Sequence, residues 1–450
     1  MNVRKNKIIL ENKELIDNFS IVDDKRQVPL YIEKLILHIL LKNVFGKTLF
    51  SNNINDYLKE IPSYYLMKVA NLIDREMYVS NQKTDYTDKY YLYLLYYLPC
   101  NIYKIWKPFL DLLLRYEMKV KLKVLDIGTG PGSVPIGIIE FFKILSRSFS
   151  KYRYFIEFQL VDSQEEFLNI AKFILTEIQK DLPQNLKITF NTNKINIGED
   201  DTIFDLGVFD IITMSNFLNT NEIGDLYDPL KFLSKIKDNL SEDGSIIIIE
   251  PGEKNSCIQL KNLRNEVINN KILNIFSPCV PLWEDKETYL CNCFTTAKFT
   301  WNKPKIIKYL HEFGLRRNKY KEHVAFNYVI FRKDNRKKYR ADKNKLNYTF
   351  LRELWETDEE RVNIRGIIRF VSLNNNKYTF SICDGTISDY NKYNVWIDFS
   401  SSDVLEKHKP LITRMNMGEK IVIKKAKMIR KSNKSIRLII DEKSKIDGCY

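Results

Sequence analysis

The sequence predicts an α/β protein: a Rossmann-like parallel sheet, with a helical segment before it and a five-stranded OB-like β-barrel after it. Three observations carry this reading. An apolar strand at 124–127 runs into the glycine-rich turn Gly128-Thr-Gly130-Pro-Gly132 and then into an apolar run of helical spacing, Val134, Ile138 and Phe142. Strand-like and helix-like segments alternate from there to about residue 333. A charged linker, KDNRKKYRADKNK at 333–345, is followed by strand-like runs with one helical run after the third, the order of an OB barrel. The expected organisation is a helical cap over 1–120, the sheet domain over 121–333 and the barrel over 346–450.

Residues 1 to about 120 read as helical. Leu30, Ile32, Leu35, Ile36, Ile39 and Leu40 build an apolar face. A second helical run covers 64–77. A third begins near Asp88 and carries YYLYLLYYLPCNIYKIWKPFLDLLLR, broken or kinked at Pro99. Its aromatics are expected in the core, and the segment is expected to cap the sheet and to contact substrate. The second strand, 154–161, ends at Asp162, and a helix with Phe167, Ile170, Ala171, Ile174 and Ile178 on one face follows. Strand three spans 186–191. Strand four, 209–214, leads into SNFLNT. A helix over 229–240 stops at Ser-Glu-Asp-Gly244, and the β-branched strand 245–249 ends in Glu250-Pro-Gly252. The run 323–333 reads as a closing strand.

In an open α/β sheet, ligands sit at the carboxyl ends of the strands. Those ends carry Asp126 with Gly128, Gly130 and Gly132, then Asp162 with Ser163, then Asn193, then Ser215, Asn216 and Phe217. An acid at the end of strand two can accept ribose hydroxyls; as an alternative, Asp162 and Ser163 cap the next helix. Asn193 is in reach of an adenine. The string DIGTGPG resembles motif I of class I S-adenosylmethionine (SAM) methyltransferases, D-x-G-x-G-x-G, because its acid precedes the first glycine. That resemblance implies SAM as cofactor, with the acid and the turn holding its methionine part.

At 450 residues, with 44% hydrophobic and 28% charged residues, the composition is that of a globular protein of two to three domains. No apolar run is long enough to span a bilayer, and the first residues carry acids where a secretion signal needs an apolar core. No membrane role is expected, and a cytoplasmic place, with a mitochondrial one as the alternative. Seven cysteines in a chain this long make no disulfide framework. Net charge is +14, and from Lys333 onward 26 Lys and Arg stand against 16 Asp and Glu, a net of +10. Such asymmetry points to a polyanionic partner, against the plainer reading of a solvated basic surface.

Four landmarks occur in order: YLLYYLPCNIYKI at 93–105, DIGTGPGS at 126–133, IIIIEPG at 246–252 and SPC at 277–279, with FNYVIFRK closing the domain. Together, over about 60–333, they resemble the methyltransferase-like assembly factors of the mitochondrial small ribosomal subunit and their bacterial and archaeal relatives. The resemblance implies a SAM-dependent methyltransferase fold and RNA, small-subunit ribosomal RNA in particular, as partner. It also implies a cysteine-bound iron–sulfur cluster in some members. Here Cys257, Cys279, Cys291 and Cys293 are the candidate ligands of a cluster or of zinc. This chain has Cys279-Val-Pro where the family has Cys-Pro-His, and buried packing is the plainer role for free thiols.

In the barrel, alternation sends Val362, Ile364, Ile368, Phe370, Tyr378, Phe380, Ile382, Val395, Ile397 and Phe399 inward. Arg365, Arg369, Thr379 and Trp396 are then expected to face outward, with Lys424 and Arg437 bordering the same sheet. Arginine beside an aromatic suits stacked single-stranded bases. A barrel docked on the rest of the chain is the alternative. The expected function is SAM-dependent methylation of RNA, with an RNA-binding assembly factor as the alternative. No Asn/Asp-Pro-Pro-aromatic tetrad occurs, and Asn216 is the one polar candidate for a catalytic contact after strand four.

Overall fold

A computed structural model describes residues 7–8, 26–76, 90–113, 118–218, 228–280, 282–283, 296–339, 348–374, 377–387, 393–412, 418–432 and 434–447. The chain divides into two compact units, Met1–Ile249 with Lys298–Val324, and Glu250–Ala297 with Ala325–Tyr450.

The first unit opens with helices α1 (Leu30–Phe45), α2 (Ile54–Lys59) and α3 (Ser63–Glu76). The apolar face read from the sequence is buried: Ile32, Ile36, Ile39 and Leu40 are nearly inaccessible, whereas Leu30 lies at the exposed edge. The aromatic segment 90–101 is helical, but Tyr93–Tyr97 form a π-helical turn. Pro99 has no N–H for the Leu95 carbonyl, and its ring would strike that carbonyl in a regular helix. The wider turn, closed by Leu98 N–H to Tyr93 O, accommodates it. Helix α4 (Trp106–Leu113) follows.

Strands β1 (Lys121–Ile127), β2 (Tyr154–Asp162), β3 (Leu186–Lys194), β4 (Phe209–Ser215) and β5 (Leu240–Pro251) lie in the order β3-β2-β1-β4-β5, all parallel. Helices α5 (Ser133–Ser148), α6 (Glu165–Gln179) and α7 (Pro229–Ile236) connect them. The order reverses between β1 and β4, and that crevice is where doubly wound sheets bind ligands. Helix α5 lies tight against the cap: a side chain at Gly137 would come within 2.0 Å of the Ile102 carbonyl, and the Trp106 indole donates to the Gly137 carbonyl at 2.8 Å.

The helical run read over 229–240 consists of two windings. Helix α7 ends at Ile236, and a 3₁₀ turn over Lys237–Asn239 carries the winding on to Leu240, where β5 begins. Asn239 ends it: its buried carboxamide donates to the carbonyls of Phe204 and Gly207 at 2.8 and 2.7 Å and draws the chain out of the helix.

In the second unit, helix α8 (Lys254–Asn269) precedes β6 (Asn274–Ser277), which pairs antiparallel with β7 (His323–Arg332). A short 3₁₀ turn at Leu351–Trp355 leads into β8 (Arg361–Asn374), β9 (Lys377–Cys383), β10 (Asn394–Phe399), helix α9 (Ser402–Ile412), β11 (Lys420–Ser432), β12 (Ser435–Ile440) and β13 (Lys445–Asp447). The order β8-β9-β10-β12-β11 closes back on β8, with β10 and β12 parallel and the other pairs antiparallel. This is a closed OB-like barrel, with its helix after the third strand.

Val362, Ile364, Ile368, Phe380, Ile382, Val395 and Ile397 fill the barrel, with Tyr378 and Phe399 at its margin. The side chain of Phe370 lies outside the described residues. Ile397 is fully buried there. Ile397→Ala is expected to destabilise the chain by about 2–5 kcal/mol, read as a lower denaturation midpoint in urea with circular dichroism.

Candidate functional site

At the carboxyl ends of β1, β2, β3 and β4 lies a cavity of about 640 Å³, within the range of about 300–1,000 Å³ typical of small-ligand sites. Its floor is the turn after β1. Gly128, Gly130 and Gly132 all have positive φ, at 68°, 54° and 97°, a region that side chains disfavour. Gly128 also needs its missing side chain for space: a Cβ there would come within 2.7 Å of the Phe217 ring. At Gly130 a Cβ would meet no atom within 4 Å, so the turn is open where a ligand would approach its backbone.

The turn is fastened to β2. Gly128 and Thr129 N–H groups donate to the Val161 carbonyl at 2.9 and 3.0 Å, and Gly130 N–H donates to Asp162 Oδ2 at 2.7 Å. Asp162 Oδ1 accepts from Gln164 N–H at 2.9 Å. Burial raises the Asp162 carboxyl above its ordinary range, and these backbone donors oppose the rise. Each oxygen retains a lone pair, so Asp162, which lines the cavity, can still accept ribose hydroxyls. Ser163 also lines the cavity, and its hydroxyl accepts from Gln164 Nε2 at 3.3 Å.

Asp126 sits beneath the turn and does not line the cavity. Its Oδ1 accepts from Thr213 Oγ1 on β4 at 2.6 Å, while Oδ2 is buried with no partner among the described residues. Burial pushes this carboxyl up to about 7; the threonine hydroxyls at 213 and 129 pull it down, and the Asp162 charge adds to the rise. Asp126 therefore joins β1 to β4 under the turn, next to Gly128 and Thr129 and outside the cavity lining.

Asn193 is also placed differently from the sequence reading. It lies within β3, and its carboxamide oxygen accepts from Gln159 Nε2 on β2. Ile195, Asn196 and Ile197, just beyond, line the cavity instead. The register of the parallel pair set this, with Asn193 opposite Val161. After β4, Ser215, Asn216 and Phe217 line the opposite side. Asn216 has a φ of 52°, rare outside glycine, and is held by its N–H to the Ile249 carbonyl at 2.7 Å.

The sequence reading brings the cap to the substrate but assigns its aromatics to the core; two of them, Tyr93 and Tyr97, stand at the cavity instead. Tyr93, Tyr97, Leu98 and Asn101 form a wall of the cavity, whereas Leu94, Leu95 and Tyr96 are core. The signal available was Pro99 in a helical run, since the widened turn it imposes redistributes which residues face which side.

The metal reading finds no completed site. Among the described residues no group of three or more potential metal ligands occurs. Cys291 and Cys293 lie outside the described residues. Cys257 and Cys279 line one cavity of about 20 Å³ together with Lys261 and Arg264, space for about one water molecule. Cys257 is buried, which raises its thiol pKa, with Thr296 Oγ1 at 3.8 Å. No helix among the described residues is long and apolar enough to cross a membrane.

In the barrel, Arg365 faces outward as read from the sequence, but that outer face is covered. Its side chain is buried, with its guanidinium 5.7 Å from the Trp283 ring centre. Trp283, Val280, Leu282 and Tyr339 form a cluster over this outer face together with Ile367. Arg369 and Trp396 are half-buried. Lys424 pairs with Asp447 at 2.8 Å, and Arg437 with Asp398. Thr379 donates to Asp398 at 2.7 Å.

Residues 118–327 match the family model described as a methyltransferase domain. Among solved structures, the chain is similar to a SAM-dependent methyltransferase from Aquifex aeolicus (14% identity, 51% of this chain and 90% of that chain, TM-score 0.27). A methyltransferase from Pyrococcus furiosus is similar at 15% identity over 50% and 81% of the two chains, TM-score 0.27. The plantazolicin methyltransferase BpumL in complex with SAH is similar at 14% identity over 68% and 100%, TM-score 0.25. The comparison with curated proteins gave no match. Residues 118–327 thus carry a methyltransferase domain.

The cavity fits SAM: an open glycine backbone, a carboxylate with free lone pairs, and the apolar Phe167, Ile195 and Ile197. Gly130→Val fills the open approach and forces a positive φ on a β-branched residue. It is expected to abolish SAM binding by calorimetry with the fold retained. A second expectation concerns pH. The folded chain holds the Asp126 proton up to about pH 7, while the unfolded chain releases it near 4. Unfolding free energy of the ligand-free protein should therefore fall as pH rises from about 4 to 7, by at most about 1.4 kcal/mol per unit for this one group. Asp126→Asn should make that decline shallower in denaturant titrations across the window.

Proposed function

We infer that this chain is a SAM-dependent RNA methyltransferase acting on small-subunit ribosomal RNA. The observation that carries the RNA reading is one row across three barrel strands. Ser381 on β9 is opposite Trp396 on β10, which is opposite Arg437 on β12. The second and third strands of an OB barrel form its usual oligonucleotide face, and an aromatic flanked by an arginine suits a stacked base with a nearby phosphate. The excess of basic residues after Lys333 supports the same partner. The four landmarks shared with small-subunit assembly factors support ribosomal RNA within that class, and one of them, 93–105, supplies part of the cavity wall.

SAM, when bound, supplies an electrophilic methyl group on a sulfonium. The protein's task is then alignment of an acceptor and exclusion of water. The turn at 128–132 and Asp162 orient the cofactor, while Asn216, Phe217 and Tyr97 surround the space left for the acceptor.

One observation favours a second reading, an RNA-binding assembly factor in which SAM is structural. On the side of the cavity formed by Ser215, Asn216, Phe217, Leu98 and Asn101, the described residues offer no carboxylate or imidazole to act as a base. Methyl transfer from labelled SAM into small-subunit RNA, run beside RNA binding, separates the two. Binding with label incorporation is the expected result, and binding without incorporation establishes the second. Trp396→Ala is expected to weaken single-stranded RNA binding about tenfold or more. Binding by the intact chain should fall steeply with salt. Unchanged affinity in Trp396→Ala removes the barrel face from the RNA site.

A further inference from the structure

After β4 the cavity is bordered by Ser215 and Asn216, and a buried cation stands behind Asn216. Lys104, from the cap, is only 6% exposed, and its ammonium lies 3.4 Å from Asn216 Oδ1. An ammonium only donates, so this contact fixes which side of the Asn216 amide is oxygen. The amide nitrogen has one hydrogen directed toward Ser215 Oγ at 3.4 Å, which leaves the other for a ligand. Polarisation by the buried cation makes that remaining N–H a stronger donor. On the adjacent cap wall stands Asn101, whose carboxamide has no side-chain hydrogen bond among the described residues. Tyr97, its ring held by Arg317 Nη1 on the hydroxyl at 2.9 Å, lines the same cavity.

We propose that Asn101, Asn216 and Tyr97 form an acceptor subsite for one unstacked nucleobase, with Lys104 as the positioning residue for Asn216. A carboxamide offers a donor and an acceptor in one plane, the match for a base edge that carries both. A tyrosine ring beside it offers the face on which such a ring stacks. A buried ammonium is costly unless it is hydrogen-bonded; the Asn216 oxygen is one acceptor for Lys104, and the contact sets the strained Asn216 in one orientation. A base taken from a single strand or flipped from a duplex is the ligand class that presents both an edge and a face. This rests on the reading of the chain as an RNA methyltransferase.

The test uses the full chain loaded with SAH, which occupies the cofactor's place. Equilibrium binding of the four nucleoside 5′-monophosphates is compared with that of ribose 5-phosphate. At least one nucleotide is expected to bind measurably, and ribose 5-phosphate at least tenfold more weakly. Asn101→Ala, which removes no side-chain bond among the described residues, should weaken that nucleotide at least tenfold. Lys104→Met should do the same, and Lys104→Arg should restore part of the loss, a rescue that a purely structural lysine would not show. Equal binding of ribose 5-phosphate, or nucleotide binding unaltered in Asn101→Ala, overturns the subsite whatever the fate of Lys104→Met. Failure of the broader reading looks different: the intact chain binds mononucleotides through Asn101 yet neither binds nor methylates RNA.

Discussion

The turn at residues 128–132 is held in place by the strand beside its own. β1 and β2 run parallel with Ile127 opposite Val161, so the two strand ends emerge side by side. The Val161 carbonyl and the Asp162 carboxylate then collect three successive N–H groups of the turn. Every other feature of the cavity is built on that fastening. Phe217 after β4 closes over Gly128 at a distance only glycine allows, and the cap's Tyr93 and Tyr97 face the same space. A glycine turn is entropically free in the unfolded chain, and here its freedom is removed by hydrogen bonds from a neighbouring strand.

Two carboxylates divide the work at the switch point. Asp162 is at the cavity wall, its charge stabilised by backbone donors while lone pairs remain for a ligand. Asp126 lies below, in contact with Thr213 across the β1–β4 junction, and burial brings its carboxyl up to about 7. A cationic ligand above the turn favours the ionised form of both. Cofactor binding and the protonation of Asp126 are therefore linked, because each changes the electrostatic cost of the other.

The barrel follows one rule on its inside and another on its outside. Alternation along a strand separates two faces, and the interior is filled by the residues that alternation selects, from Val362 to Ile397. The outer face has no such uniform fate. Along β8 it is covered by Trp283, Tyr339 and their neighbours, which bury Arg365 and Ile367. Along β9, β10 and β12 it carries the row Ser381, Trp396 and Arg437, in which Ser381 is buried and the other two are half-buried. Charge on a strand's outer side thus marks an outward direction and does not by itself mark solvent.

The sequence by itself determined the parallel sheet, its glycine turn, the order of the barrel strands and the barrel's interior. Each of these rests on local patterns: an apolar strand before positive-φ glycines, a β-branched run such as Ile246–Ile249, and strict alternation in β9 and β10. It also located Asp162, Ser215, Asn216 and Phe217 at strand ends. Only the tertiary structure decided that Asp126 supports the turn from below, that Asn193 gives way to Ile195 and Asn196, that Arg365 is covered, and that Tyr97 and Asn101 reach the cavity. These four depend on which segment comes to lie against which, through strand register, a proline-widened helical turn and a covering cluster from residues about eighty positions earlier. Local pattern fixes the direction of a side chain relative to its own strand or helix, but what it meets there is set by chain segments far away in sequence.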